Sequence, residues 1–321
     1  MQQTFSVSAG IHLKGGFRDL KMMRTSLFLV IFFTSFQLYA DNIVMLSMNA
    51  DGPVEQGFRD GIIAEMPDTR FYTSGAGGDM SIFRMQLKAS RSFDAKIYFT
   101  NGQVPTKELL SDKTLPNVVF VSIQYPFQDE LFDGVDFAGS AGIKTDIPIR
   151  KLVSAMKDVV DFKILGVLKT DNNRNYDYSI KELRQISAEL DFKVEELSTD
   201  DLFVLNSQLA ETTPHAVYIP AHGKVDPNIF DIIKAHNIPT IAENKEDVLK
   251  RGALLALVVD GYRAGRIAAK KAVNILKTDT IPQQPINSIE HFLFVVNLMT
   301  ASRLGVQIPM PYLIIADQIV R

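Results

Sequence analysis

An α/β fold of two doubly wound, Rossmann-like lobes is the architecture this sequence predicts. Three observations predict it. After Asp41, short runs that are apolar on both faces alternate with segments carrying apolar residues at helical spacing. That is the pattern of parallel sheets covered on both sides by helices. About eleven such strands are too many for one open sheet in a chain of this length. The stretch from Asp41 onward, about 280 residues, is also too long for one ordinary core and suits two.

The elements follow in order. A strand is expected over 42–48, then a helix over 54–66 with Gly57 and Gly61 on one side. A strand over 70–74, a helix over 80–90, a strand over 95–100 and a short helix over 104–110 come next. The run 117–122, Asn-Val-Val-Phe-Val-Ser, is strongly apolar, and 136–139 reads as a short strand. The cycle then repeats: helix 147–160, strand 163–168, helix 175–190, strand 193–197, helix 202–211 and strand 216–220. Helix 227–235, strand 240–242, short helix 245–251 and strand 254–259 continue it. An amphipathic helix over 262–276 and a last strand over 291–298 complete the pattern. Asp200 and Asp201 mark a helix start. In doubly wound sheets the ligand lies outside the carboxyl ends of the strands, so the residues just after each strand are the candidates for function.

Ahead of these elements lies a segment of another kind. Lys21 and Arg24 precede an apolar run from Leu27 to about Phe36, and Ala40 is a small residue before Asp41. This reads as a secretory signal cleaved near Ala40. The run is shorter than the roughly 17–25 apolar residues a membrane span needs. The signal begins late; Met22 or Met23 is the more natural start, and 1–21 reads as an upstream extension. Export removes most ATP-driven and NAD-driven enzymes from consideration.

Composition is that of an ordinary globular protein: 46% hydrophobic, 22% charged, formal net charge −3. Without a basic excess nothing points to nucleic acid. The chain has no cysteine, which excludes thiol catalysis, cysteine zinc sites and a lipid anchor on an N-terminal cysteine. A soluble exported protein without such an anchor is retained where an outer membrane encloses it, so the periplasm is the expected location.

No motif carries a reaction. Gly75-Ala-Gly-Gly78 follows the second strand and lacks the Lys-Ser/Thr ending of a phosphate loop, so it reads as a turn. The histidines are scattered without ligand spacing, so no metal and no cofactor are expected. Ser140 in Gly139-Ser-Ala-Gly142 lacks a nucleophile elbow. An enzyme would need a nucleophile–base pair or a carboxylate dyad across a cleft, and no spacing suggests one.

The loops after the strands carry a resemblance. Lys163-Ile-Leu-Gly-Val-Leu-Lys-Thr-Asp-Asn-Asn-Arg-Asn175, Ala216-Val-Tyr-Ile-Pro-Ala221 and Ile238-Pro-Thr-Ile-Ala242 occur in that order. Arg251-Gly-Ala-Leu-Leu-Ala-Leu-Val-Val-Asp-Gly-Tyr-Arg-Ala-Gly265 follows, then Val296-Asn-Leu298 and Ala301 to Pro309. Together they resemble the exported substrate-binding proteins of the tryptophan/tyrosine-type ABC transporter family. Gln56-Gly-Phe-Arg-Asp-Gly61 and Asn117 to Pro126 extend the likeness into the first half. Two departures are visible: the loop Ser47 to Pro53 is shorter than the family's, and Tyr125 stands where an acidic residue is usual.

The resemblance implies a type I periplasmic-binding fold, two lobes joined by a hinge of three crossovers with a ligand clamped in the cleft. The expected division is 41–143 with 262–296 for the first lobe and 144–261 with 297–321 for the second. The expected function is capture of an amino acid or related small carboxylate or amine for a membrane permease. A sensory binding protein reporting to a membrane receptor is the alternative. A monomer without enzymatic activity is expected. On the first lobe the candidate ligand residues are Ser47, Asn49, Asn101, Gln103, Gln124 and Tyr125. On the second they are Asn172, Asn173, His222, Asn244 and Asp260, with Asp260 suited to an ammonium group. The same Asn and Asp positions also suit turns and helix caps.

Overall fold

The computed structural model describes residues 41–49, 52–124, 133–169, 174–221 and 226–321. The first lobe is built on a six-stranded sheet. Its strands are β1 (Asn42–Ser47), β2 (Arg70–Gly75), β3 (Ile97–Asn101), β4 (Asn117–Ile123), β5 (Ser140–Lys144) and β11 (Ile286–Ser288). Their order is β11-β5-β4-β3-β1-β2, and every pair is parallel. The second sheet has seven strands: β6 (Ile164–Lys169), β7 (Lys193–Ser198), β8 (Ala216–Ile219), β9 (Thr240–Ala242), β10 (Leu255–Val259), β12 (Phe292–Asn297) and β13 (Gln318–Val320). They run in the order β13-β12-β10-β9-β8-β6-β7, with β12 antiparallel to β10. Both are the covered α/β sheets that the apolar runs predicted.

Strand β1 shows why the runs are apolar on both faces. Ile43 and Met45 bury into the core beneath α1 (Pro53–Ile63) and α9 (Gly261–Thr278). Val44 and Leu46 point the other way, into the core beneath α2 (Met80–Ser90) and α3 (Gln103–Ser111). The second sheet is covered alike. Helices α4 (Ile149–Val159) and α5 (Arg174–Leu190) supply one core, with Ala301 of α10 (Leu298–Leu304) and side chains of α11 (Met310–Ile315) at its edge. Helices α6 (Leu202–Thr212), α7 (Asn228–Ala235) and α8 (Lys245–Leu249) supply the other. Asp79 caps α2 through Ser81 N at 2.7 Å, and Asp201 caps α6 through Phe203 N at 2.7 Å. Each satisfies a backbone N–H that the first helical turn leaves unpaired.

The chain crosses between lobes three times, from β5 to α4, from β10 to α9 and from β11 to β12. All three crossings start at the carboxyl ends of parallel strands. They also lie side by side: Ile289 N donates to Lys144 O at 2.9 Å, and Phe292 pairs with Val259. The connectivity therefore gathers the carboxyl ends of both sheets around one bundle of connections.

Two expectations are corrected. The short strand expected over 136–139 lies at Ser140–Lys144 instead, after a left-handed turn at Gly139. The first lobe was expected to extend to 296, but Phe292–Asn297 pairs antiparallel with Leu255–Val259 and so belongs to the second sheet. Cross-strand hydrogen bonding, which local sequence does not display, fixes that boundary.

Candidate functional site

The strand order of the first sheet reverses at β1, which has β3 on one side and β2 on the other. Loops leaving β1 and β3 must diverge to opposite faces there, and the gap between them is where doubly wound sheets bind ligands. A cavity of about 680 Å³ lies at this point. Its walls include Ser47, Met48 and Asn49 after β1, Gly52 and Glu55 at the start of α1, and Met80 on α2. Asn101 to Pro105, running from β3 into α3, closes the far side. The glycine turn after β2 is tied to the same place, with Gly78 N donating to Met48 O at 3.0 Å.

Four of the sequence-selected residues, Ser47, Asn49, Asn101 and Gln103, meet in this cavity. Gln124 joins them indirectly, because Gln103 Nε2 donates to its carbonyl oxygen at 3.0 Å. Just before Gln124, Ser122 has a left-handed backbone (φ 63°) where the β4–β5 register shifts. A serine held in that region is uncommon, and the irregularity shifts the register so that Ile123 pairs with Lys144. Tyr125, Asn172, Asn173 and His222 lie outside the described residues.

Asn244 and Asp260 are placed differently. Asn244 Oδ1 accepts from Glu246 N at 3.0 Å and caps α8. Asp260 Oδ1 accepts from Arg263 N at 3.0 Å and caps α9 at the second crossing. Neither lines the cavity between β1 and β3. Asp260→Ala is expected to lower stability by about 1 kcal/mol through loss of the cap, while Asp260→Asn, which keeps a capping oxygen, should stay within a few tenths. Urea unfolding of the two variants checks this.

Two buried carboxylates were not among the sequence-selected residues, Glu55 inside a helix and Glu243 at a strand end. Glu55, only 2% exposed, accepts from Ser47 Oγ at 3.0 Å and Asn101 Nδ2 at 3.1 Å, both on Oε1. Glu243, directly after β9, accepts from the Tyr218 hydroxyl and from Ala221 N at 2.9 Å. Burial pushes the Glu243 carboxyl above the ordinary carboxylate range, against the pull of those two hydrogen bonds. Glu182 on α5 is raised too, by burial first and then by the negative charges of Glu243 and Asp146. The sequence signal for Glu55 was present but ambiguous: an acidic residue in a helix's first turn usually serves the helix.

Comparison with known proteins settles the family. The ABC transporter substrate-binding protein family matches residues 96–320. This chain belongs to that family. The matched stretch holds all the second-half motifs on which the resemblance was read, so that expectation is borne out. No curated protein sequence matches. Among solved structures, the ABC domain in complex with L-Trp from Streptococcus pneumoniae is 19% identical, with a TM-score of 0.68 over 87% of this chain and 100% of that one. A ligand-free, open substrate-binding protein with adhesive properties from Clostridium difficile is 16% identical, with a TM-score of 0.72 over 88% and 99%. A periplasmic ribose ABC transporter from Conexibacter woesei is 15% identical, with a TM-score of 0.60 over 83% and 94%. These likenesses establish the type I periplasmic-binding fold. Among the described residues no helix is long and apolar enough to cross a membrane.

Proposed function

We propose that this family member is a periplasmic capture protein, exported by the signal over about 21–40. It takes a small molecule between its two lobes and hands it to the membrane permease of an ABC importer. It performs no chemistry. The observation that supports this reading is the cavity at the β1/β3 switch point, lined by polar groups at the carboxyl ends of first-sheet strands, the same side of that sheet from which the chain leaves β5 and β11 for the second lobe. A ligand that touches both lobes binds the closed arrangement better than the open one, and that difference is what drives closure. The permease then reads the closed form.

An amino acid or a related small carboxylate or amine is the ligand class we favour. The L-Trp complex among the structural neighbours supports it, while the ribose transporter and a 5-methylthioribose complex keep sugars in any fair test. That test is a thermal-shift panel on the purified protein using amino acids, small peptides, polyamines, sugars and nucleosides. A true ligand at about a hundred times its dissociation constant stabilises the fold by roughly 2.7 kcal/mol, which moves the melting temperature by several degrees. One responding class, with a smaller radius of gyration in solution scattering when bound, is the expected result. A flat response to every class from folded protein would sink the reading.

A further inference from the structure

Glu55 is the one ionisable side chain among the described residues lining the β1/β3 cavity. Its carboxylate is asymmetrically satisfied. Ser47 and Asn101 both donate to Oε1, and among the described residues no hydrogen bond reaches Oε2 and no cation pairs with the group. A carboxylate this deeply buried is costly unless its charge is matched. The start of α1 supplies only about half an elementary charge. Its first residue, Pro53, has no N–H to contribute. Two neutral donors fix the orientation of the carboxylate through Oε1 and leave Oε2 without a donor among the described residues. Gly52 lies against the same oxygen, and a Cβ there would stand 2.9 Å from Oε2.

We propose that Glu55 makes this site selective for a cation: the first lobe binds the ammonium group of an amine ligand at Glu55 Oε2. Asn49 and Gln103 flank that position with uncharged polar groups, and Met48, Met80 and Val104 offer an apolar wall to the carbon chain behind the ammonium. An anionic group entering here would face the Glu55 carboxyl group, so a ligand carboxylate is held elsewhere. This inference rests on the capture reading above and adds the charge of the group that the first lobe recognises.

The test uses calorimetry on the whole protein with pairs of probes that differ only in the charged group. Putrescine is compared with 1,4-butanediol, and L-leucine with 2-hydroxy-4-methylpentanoate; ribose and succinate serve as uncharged and anionic probes. At least one amine should bind, its hydroxyl counterpart should bind at least about thirtyfold more weakly, and Glu55→Gln should weaken the amine by a similar factor. Equal affinity for amine and hydroxyl partners overturns the proposal on the wild-type protein, even if Glu55→Gln does not fold. A folded Glu55→Gln that melts differently but keeps its amine affinity also overturns it, and assigns Glu55 to the helix start alone. Binding of ribose or succinate without any amine removes the charge assignment and leaves the capture reading standing. Binding of none of the probes, with the wider panel silent as well, removes both.

Discussion

Gly265→Ala is expected to lose about 3 kcal/mol or more, and Gly265→Val should fail to accumulate as folded protein. The cause is a backbone-to-backbone contact between α1 and α9. A Cβ at Gly265 would lie 2.0 Å from Val54 O and 2.7 Å from Phe58 N. Both are main-chain atoms, so no side-chain rotation makes room and the helices must separate. The contact is reciprocal, because a Cβ at Gly57 would lie 2.0 Å from Tyr262 O, and one at Gly61 would lie 2.5 Å from the Ala269 Cβ. Ala264, Ala268, Ala269 and Ala272 continue the small face of α9 into the buried core. Helix α9 also begins directly after the second crossing, so displacing it loosens the first lobe and the connection to the second together. Lys270→Ala, on the exposed face of the same helix, should stay within about 0.5 kcal/mol and serves as the control. Urea unfolding midpoints decide the matter; a wild-type midpoint for Gly265→Ala would mean that the close approach is absent in solution.

This packing gives physical content to the sequence motifs. Gln56-Gly-Phe-Arg-Asp-Gly61 and Asp260-Gly-Tyr-Arg-Ala-Gly265 stand some 200 positions apart in number, yet they are two sides of one helix crossing. The sequence showed the glycines and the amphipathic helices but not that they touch. Strand β1 was legible because four consecutive apolar residues bury into two cores. Strand β5 was not, because Ser-Ala-Gly-Ile-Lys has little apolar signal. Its glycine sits under a ring: a Cβ at Gly142 would meet Phe120 at 2.3 Å. Only the tertiary neighbour explains that residue.

The candidate site divides the same way. Ser47, Asn49, Asn101 and Gln103 were selected because polar residues following apolar strands point to the carboxyl edge of a sheet, and they line the candidate cavity. The same rule selected Asn244 and Asp260, which cap helices, because a strand-to-helix loop places its N-cap at that very position. Strand-end position does not separate the two uses; the direction of the side chain does. Glu55 failed the rule for a different reason. It stands inside the helix, and only the fold turns its carboxylate back towards Ser47 and Asn101.

Glu243 should impose a pH dependence of opposite sign to that of a salt-bridged carboxylate. Burial raises its folded-state pKa above the value of about 4.3 expected in the unfolded chain. Below the unfolded value both states are protonated and stability is unaffected. As pH rises past it, the unfolded chain ionises while the folded protein holds its proton, so stability falls. The loss stops growing once the pH passes the raised folded-state value. Glu182 adds a loss of the same sign, whereas Asp112, lowered despite its burial by the Thr114 and Arg91 contacts, contributes in the opposite sense. A difference measurement cancels Asp112 and reports Glu243 together with its influence on Glu182. Glu243→Gln keeps an acceptor for Ala221 N and presents an amide to the Tyr218 hydroxyl, which can accept as well as donate. Relative to wild type, this variant should gain stability as the pH rises from 4 to 8. Glu243→Ala should instead lose about 3 kcal/mol near neutral pH, by removing the acceptor of two buried donors. Urea midpoints for the three proteins across this range are the check, and a Gln-minus-wild-type difference that does not vary with pH would refute the assignment. The consequence reaches the carboxyl edge of the second sheet. Ala221 lies just beyond the end of β8, so Glu243 ties the carboxyl end of that strand to the end of β9, and Glu243→Ala should weaken whatever ligand the panel identifies.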